Sequence, residues 1–432
     1  MTPVVIDEEQ FRADVRAFLE ATLPRKGTPA GSDPTASGVS RARDFQARLA
    51  AAGLAGLTWP EEYGGRGLPG RFQQLFDREA AAFQLPPRAL EIGLGMCGPT
   101  LLVHASETQK RAYLPPLLRG EHVWCELFSE PGAGSDLASV QTRALADGDC
   151  WVLDGQKVWT SGAQHSDFAA CLARTDPDRP KRQGITMLIV DMGTPGITVR
   201  PLRQMTGDAH FNEVFLDGVR VPQANAVGET HGGWRVARTM LAFERKALGG
   251  MGSGGGGRGG FASLVAEARS RGLDARPEVR QHLADLRIRQ TALRNLAAYQ
   301  SARRAVDRSS AGEASLLKLA MARFVQDSGE ATVDLTGPAS VAWDPAEPGG
   351  GRPCTQLLSA QSASIGGGTN EIVRNVIAEQ VLGLPRDEEG DIVVPFRDPR
   401  QVDHTEVHHA DPNGPDMNGA APNPTDRGHR GG

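Results

Sequence analysis

Two stretches of the chain combine residue types that chemistry can use. Trp124-Cys125-Glu126-Leu127 is a mostly apolar run. It enters Phe128-Ser129-Glu130-Pro131-Gly132-Ala133-Gly134-Ser135-Asp136, where small and polar residues leave backbone N–H groups bare for a polar ligand. A plain turn satisfies the same residues. The second stretch, Gly366-Gly367-Gly368-Thr369-Asn370-Glu371, opens a helix. A glycine-rich approach to a helix N-terminus suits a phosphate or another anionic edge. An ordinary N-cap at Thr369 or Asn370 explains it equally well. Gly250-Met251-Gly252-Ser253-Gly254-Gly255 has dinucleotide-fingerprint spacing, yet it follows a helical pattern, not a strand, and reads as linker. Neither a G-x-x-x-x-G-K-[ST] phosphate loop nor a G-x-S-x-G nucleophile elbow occurs. Cys97, Cys125, Cys150, Cys171 and Cys354 form no C-x-x-C pair, which argues against a zinc site or a disulfide framework. His404, His408, His409 and His429 lie in a polar tail and read as solvated, so no metal is expected.

Periodicity indicates what must hold these stretches. Phe11, Val15, Phe18 and Leu19 make one apolar helical stripe, with Asp7 as N-cap and Pro24 as terminator. Helical patterns recur at 41–52, 71–83 and 98–118. Near residue 123 the character changes. Residues 151–159, 168–173, 185–190 and 197–199 read as strands. Asp154-Gly155 and Asp217-Gly218 read as hairpin turns. Helical periods return after Gly233, at about 277–309, 313–336 and 370–382. Helices, then strands, then helices make a segregated α+β chain. The expected division is a helical domain at 1–122, a β domain at 123–231, a helical domain at 232–385 and a disordered tail at 386–432.

The composition agrees with a soluble globular protein of several domains. The chain has 432 residues, a net charge of −5 and 39% hydrophobic residues. No basic excess points to nucleic acid, no apolar run is long enough for a membrane span, and no secretory leader is visible. A cytoplasmic location is expected.

The motifs, taken in order, resemble the acyl-CoA dehydrogenase family of flavoenzymes. They are FSEPGAGSD (128–136), DGQKVWTSGAQHSDF (154–168), GITVRPLRQMTGDAHFNEVFLDGVRVP (196–222), LAFER (241–245) and GGGTNEIVRNVIAEQVLGLPR (366–386). The resemblance covers residues 5–386. It implies an N-terminal helical domain, a middle β-barrel-like domain and a C-terminal four-helix bundle. It also implies FAD as cofactor and an acyl-CoA thioester as substrate, oxidised to the trans-2-enoyl-CoA. A carboxylate would remove the α-proton while the β-hydrogen leaves as hydride to flavin N5. Donors at the thioester carbonyl must stabilise the developing enolate, and a desolvated carboxylate makes the stronger base. An electron-transfer flavoprotein would take the electrons.

Roles transfer by position. Phe128 and Ser129 match residues along the flavin pyrimidine, and Gly134 and Ser135 match the cofactor loop. Ser135 also matches a position near CoA. Trp159 matches an aromatic packed on the flavin, and Ser161 a hydroxyl at N5. Thr369 and Glu371 match positions by the diphosphate and ribose. Many members carry the base two residues before that threonine, where this chain has Gly367. A minority, including relatives of isovaleryl-CoA dehydrogenase, place it immediately before an arginine on the first C-terminal helix, where this chain has Glu244-Arg245. The resemblance therefore makes Glu244 the base and Arg245 a CoA neighbour. An ordinary helix-surface pairing of Glu244 with Arg245 or Lys246 is the competing reading. The R-x-x-F-G stretch that contacts a neighbouring subunit's FAD is missing from 265–281, which read VAEARSRGLDARPEVRQ. A homotetramer is the family's usual state. An α2β2 heterotetramer, a non-catalytic partner subunit and an oxidase of the same fold are the alternatives.

Overall fold

Helices, a rolled sheet and a second set of helices follow one another along the chain. The computed structural model describes residues 6–28, 38–251, 260–305, 312–342, 351–386 and 394–397, with the side chains of 246, 248–251 and 304–305 excepted. The tail histidines and most of the glycine tract lie outside the described residues.

The first helices are α1 (Glu8–Thr22), α2 (Gly38–Ala51), α3 (Gly70–Ala80), α4 (Gly98–His104) and α5 (Glu107–Leu118). Asp7 caps α1 by accepting the Glu9 N–H at 2.9 Å, and Phe11, Val15 and Leu19 are the buried stripe. The single helix expected at 98–118 is two. Ser106 and Gln109 form a reciprocal capping box that restarts the helix. A π-wound turn, Gly93–Cys97, leads into α4.

The sheet has eight strands: β1 (Trp124–Leu127), β2 (Arg143–Asp147), β3 (Cys150–Ser161), β4 (Phe168–Arg174), β5 (Ile185–Asp191), β6 (Ile197–Leu202), β7 (Phe211–Pro222) and β8 (Ala226–Val227). The order is β6-β7-β3-β2-β4-β5-β8, with β1 parallel to β4. Side chains from β1 to β5 and β7 fill a core that the sheet encloses by rolling on itself. The hairpins expected at Asp154-Gly155 and Asp217-Gly218 are not turns. Both dipeptides lie inside long strands, β3 and β7, that pair with each other antiparallel. The register shifts there, Gly218 has φ +61°, and its N–H donates to Asp154 Oδ1 at 2.9 Å. Glycine serves close approach: a Cβ on Gly155 would stand 2.4 Å from Thr142 Oγ1.

The last layer comprises α6 (Gly233–Met251), α7 (Phe261–Ser270), α8 (Pro277–Ala305), α9 (Glu313–Thr336), α10 (Arg352–Ala360) and α11 (Asn370–Gln380). Helix α9 packs against the other five. The N-terminus of α6 lies tight on β5, where a Cβ on Gly233 would meet Met187 N at 2.6 Å. One core joins the first helices, a face of the sheet and Val236, Ala237 and Met240 of α6. That core packs α6 against β5, α4 and the π-wound turn.

Candidate active site

Two walls face each other across this core. The first is built on β1 and β3. Cys125 and Leu127 point into the rolled sheet, so Trp124, Glu126 and Phe128 share the opposite face. Trp124 packs edge-on against Tyr113, with centroids 5.6 Å apart. Beyond β1 the chain is pinned by a fully buried ammonium. Lys157 Nζ donates to Glu130 Oε1 at 2.8 Å, to the Phe128 carbonyl at 3.0 Å and to the Leu172 carbonyl at 2.7 Å. Glu130 also accepts the N–H groups of Gln141 and Thr142, at 2.6 and 2.9 Å. Burial pushes the Glu130 carboxyl up, but Lys157 and these donors outweigh it and hold it below its usual range.

The residues that follow this lysine on β3 complete the first wall. Val158 N–H donates to the Ser129 carbonyl at 2.9 Å, and the β3–β7 ladder shifts between Lys157 and Thr160. In that bulge Trp159 has φ +60° and is 60% exposed, edge-on to Phe211. A non-glycine residue in that region costs about 1–3 kcal/mol, a strain that collects at ligand sites. Ser161 ends β3 and lines a cavity of about 130 Å³ with Ile92, Trp124 and His165. The hydroxyls of Ser129, Ser135 and Ser161 make no hydrogen bond to any described residue. Gly134 and Ser135 are exposed.

The second wall comes from α6, α9 and the turn into α11. Glu244 lies half-buried on α6. Burial raises its pKa above the ordinary value, while Arg245, the Gly367 N–H and Lys318 pull against that rise. No ion pair to Arg245 closes within 4 Å among the described residues, and the Lys246 side chain lies outside them. Burial lowers the Arg245 pKa, Glu244 raises it, and Arg238 adds to the lowering. Lys318 is buried and donates to the Gly368 carbonyl at 2.6 Å, and its longer contact, 3.4 Å, is to Asn370 Oδ1. Gly367 and Gly368 have φ of +69° and +95°, which a residue with a Cβ rarely adopts. Thr369 is the N-cap of α11, its hydroxyl accepting the Ile372 N–H at 3.3 Å. Glu371 is exposed and paired with Arg374 at 3.1 Å.

The structure thus brings Glu244, Gly367 and Thr369 to one place, and Phe128, Ser129, Trp159 and Ser161 to another. Among the described residues, no hydrogen bond or ion pair joins Trp159 or Ser161 to Thr369 or Glu371. Glu126 connects the walls. Burial and the Glu244 charge push its carboxyl well above the usual range. Sequence reasoning passed over Glu126, Lys157 and Lys318. Their signal was a charged residue inside an otherwise apolar strand or helix face.

Comparison with known proteins gives one family throughout. The descriptions "Acyl-CoA dehydrogenase, N-terminal domain", "middle domain" and "C-terminal domain" match residues 6–121, 125–219 and 231–382. The chain is 38% identical over 398 residues to acyl-CoA dehydrogenase IpdE1 of Mycobacterium tuberculosis, spanning 89% of this chain and 100% of that one. A solved structure described as Tcur3481-Tcur3483 steroid ACAD superposes with TM-score 0.74 at 32% identity, over 88% of this chain and 98% of that one. The ChsE4-ChsE5 complex from Mycobacterium tuberculosis does so with TM-score 0.71 at 28% identity, over 90% and 100%.

Proposed function

The chain belongs to the acyl-CoA dehydrogenase family and is an oxidoreductase, and from that premise we propose that Glu244 is the base that removes the α-proton of an acyl-CoA thioester. The observation that carries this is the meeting of Glu244 with Gly367. The two positions at which the family resemblance puts a base converge here, and only one of them holds a carboxylate. Partial burial strengthens the base by destabilising its charged form. Arg245, the Gly367 N–H and Lys318 favour its charged form against that rise. On receiving the α-proton, Glu244 becomes neutral, which suits its surroundings better than the charge did.

The family is FAD-dependent, and the first wall fits a flavin. An exposed indole is held at a strained backbone position, beside the unpaired hydroxyls of Ser129 and Ser161. FAD, when bound, supplies the acceptor for the β-hydride. Phe128 and Ser129 would then border the flavin ring, Trp159 would pack on it, and Ser161 would donate to it. Gly134 and Ser135 would face its phosphates and CoA. Thr369, at the N-terminus of α11, would meet the diphosphate. The negative charge of Glu371 beside a phosphate is answered by its pairing with Arg374.

A heteromeric assembly is the second part of the proposal. The R-x-x-F-G stretch is missing, and two of the solved structures resembling this chain are described by paired names, one of them as a complex. Likeness to a steroid ACAD supports a steroid-derived acyl group, and an electron-transfer flavoprotein is the proposed acceptor. The test is the visible spectrum of the chain purified alone and with a similar partner chain. Flavin bands that bleach anaerobically with an acyl-CoA are expected. A protein that stays colourless with added FAD in both preparations overturns the assignment.

A further inference from the structure

Arg174 ends β4 as a buried residue, with no carboxylate within 4 Å of its guanidinium among the described residues. Burial pulls its pKa down to about 10, against the opposing charges of Glu130, Asp136 and Asp176. Its N–H groups go to backbone instead. Nη1 donates to the Lys181 carbonyl at 2.7 Å, and Nη2 to the carbonyls of Ala138 and Val140 at 2.6 and 3.3 Å. Lys181 is buried too, and its Nζ donates to Asp136 Oδ2 at 3.1 Å, an oxygen that also accepts the Ser139 hydroxyl at 2.5 Å. Arg174 and Lys181 thus hold the turn 136–140 from behind, and Ser135 directly precedes that turn. The flat face of the guanidinium is covered from far along the chain. The centre of the Phe396 ring lies 3.8 Å from its carbon. Around that ring, residues 394–397 pair antiparallel with the β4–β5 loop. Phe396 N–H donates to the Arg179 carbonyl at 2.9 Å, and Arg397 N–H to the Pro177 carbonyl at 3.1 Å. Arg397 closes the contact with a two-pronged pair to Asp178, at 2.6 and 3.0 Å. These residues belong to the stretch beyond 386 that composition alone assigns to a tail.

We propose that residues 394–397 are a strap, and that Phe396 is a positioning residue which acts through Arg174 to order the Ser135 loop for CoA. This rests on the reading of Ser135 as a CoA contact. A guanidinium gains from an aromatic face, and gains more where water is excluded. With the ring in place, Arg174 keeps its donors on Ala138, Val140 and Lys181, and the loop presents Ser135 in one conformation. Without the ring, water reaches the guanidinium and competes for those donors. The loop must then be ordered at the moment of binding, which weakens the ligand. The strap therefore bears on CoA affinity from the side of the sheet away from Glu244.

The test uses the flavin-loaded enzyme with any partner chain that co-purifies, and coenzyme A as the probe. Hydrogen exchange is followed at the Ser139 and Val140 amides, which close the turn onto the Asp136 and Leu137 carbonyls at 3.0 and 3.3 Å. Calorimetry gives the Kd of CoA. Phe396→Ala should speed exchange at both amides and weaken CoA, each by about threefold or more. Amides along the β3–β7 ladder should keep wild-type rates. Phe396→Tyr keeps the ring face and should stay within about twofold of wild type. Arg397→Asp is an exposed change that sets two carboxylates against each other at 178. It should loosen the turn in the same way, and adding Asp178→Arg should restore it. Wild-type exchange in both Phe396→Ala and Arg397→Asp overturns the strap, as does a rise spread over the whole sheet. A loosened turn with an unchanged CoA Kd overturns the positioning role where Ser135→Ala weakens CoA. Where Ser135→Ala binds CoA like wild type, the reading of Ser135 fails instead.

Discussion

Replacing Lys157 by methionine should damage the site from inside the sheet. The ammonium is fully buried and feeds three acceptors: Glu130 Oε1, the Phe128 carbonyl and the Leu172 carbonyl. Methionine fills the space but leaves Glu130 charged at 7% exposure, with only the N–H groups of Gln141 and Thr142. Breaking one side of a buried pair costs about 3–5 kcal/mol. The two carbonyls lose a further ~1 kcal/mol each. The expected destabilisation of the middle layer is therefore roughly 5–7 kcal/mol. Glu130→Gln should cost less, about 1.5–3 kcal/mol, because the amide oxygen still accepts. The double variant should be more stable than the sum of the two losses by about 1 kcal/mol or more, since it leaves no unpaired charge. Denaturant unfolding followed by tryptophan fluorescence measures these values, and flavin release reports the loss of order at Ser129 and Trp159. A Lys157→Met protein within about 1 kcal/mol of wild type, or strict additivity in the cycle, would refute the reasoning.

Three further outcomes follow from the second wall. Activity should rise with pH through an acid limb set by Glu244, at a pH above its ordinary 4.5 because burial raises it, and a limb at or below 4.5 in the kcat profile contradicts that rise. Glu126 also has a raised folded-state pKa, so the folded chain holds that proton more tightly than the unfolded chain does. Its contribution to stability is full below about pH 4.5 and is lost as pH rises through the folded value. Glu126→Gln should accordingly gain in melting temperature over wild type at pH 8 and not at pH 4, and an equal difference at both pH values refutes this. Finally, moving the carboxylate by pairing Glu244→Gly with Gly367→Glu should restore at least about tenfold of the turnover lost in Glu244→Gly alone. A Cβ at φ +69° costs about 1–2 kcal/mol there, which limits the recovery. No gain over the single variant contradicts the convergence of the two positions.

Much of the architecture was legible because hydrophobic period reports it. The Phe11–Val15–Leu19 stripe, the Asp7 cap and the bounds of α9 follow from spacing alone. The Asp-Gly dipeptides misled, because the same residues that make turns also relieve a bulge. At Gly155 the crowding comes from Thr142, a neighbour that one-dimensional pattern cannot show. The site divides in the same way. Phe128, Trp159, Thr369 and Glu244 were reached through motifs. The left-handed Trp159 was not, since its strain arises where β3 slips against β7. Glu126, Lys157 and Lys318 went unnoticed because their meaning lies in partners 118, 27 and 50 residues away: Glu244, Glu130 and Gly368. Thr369 illustrates a shared role, for its hydroxyl caps α11 and still has a proton to donate.

The most direct test of the whole reading is the rate of anaerobic flavin bleaching by acyl-CoA in wild type and in Glu244→Gln. The amide keeps the shape of the side chain and cannot take a proton. Flavin content and acyl-CoA binding should hold while bleaching slows by about 10²–10⁴-fold, the usual worth of a general base. A Glu244→Gln enzyme that bleaches within about tenfold of wild type would contradict the account, because proton removal would then belong to another group.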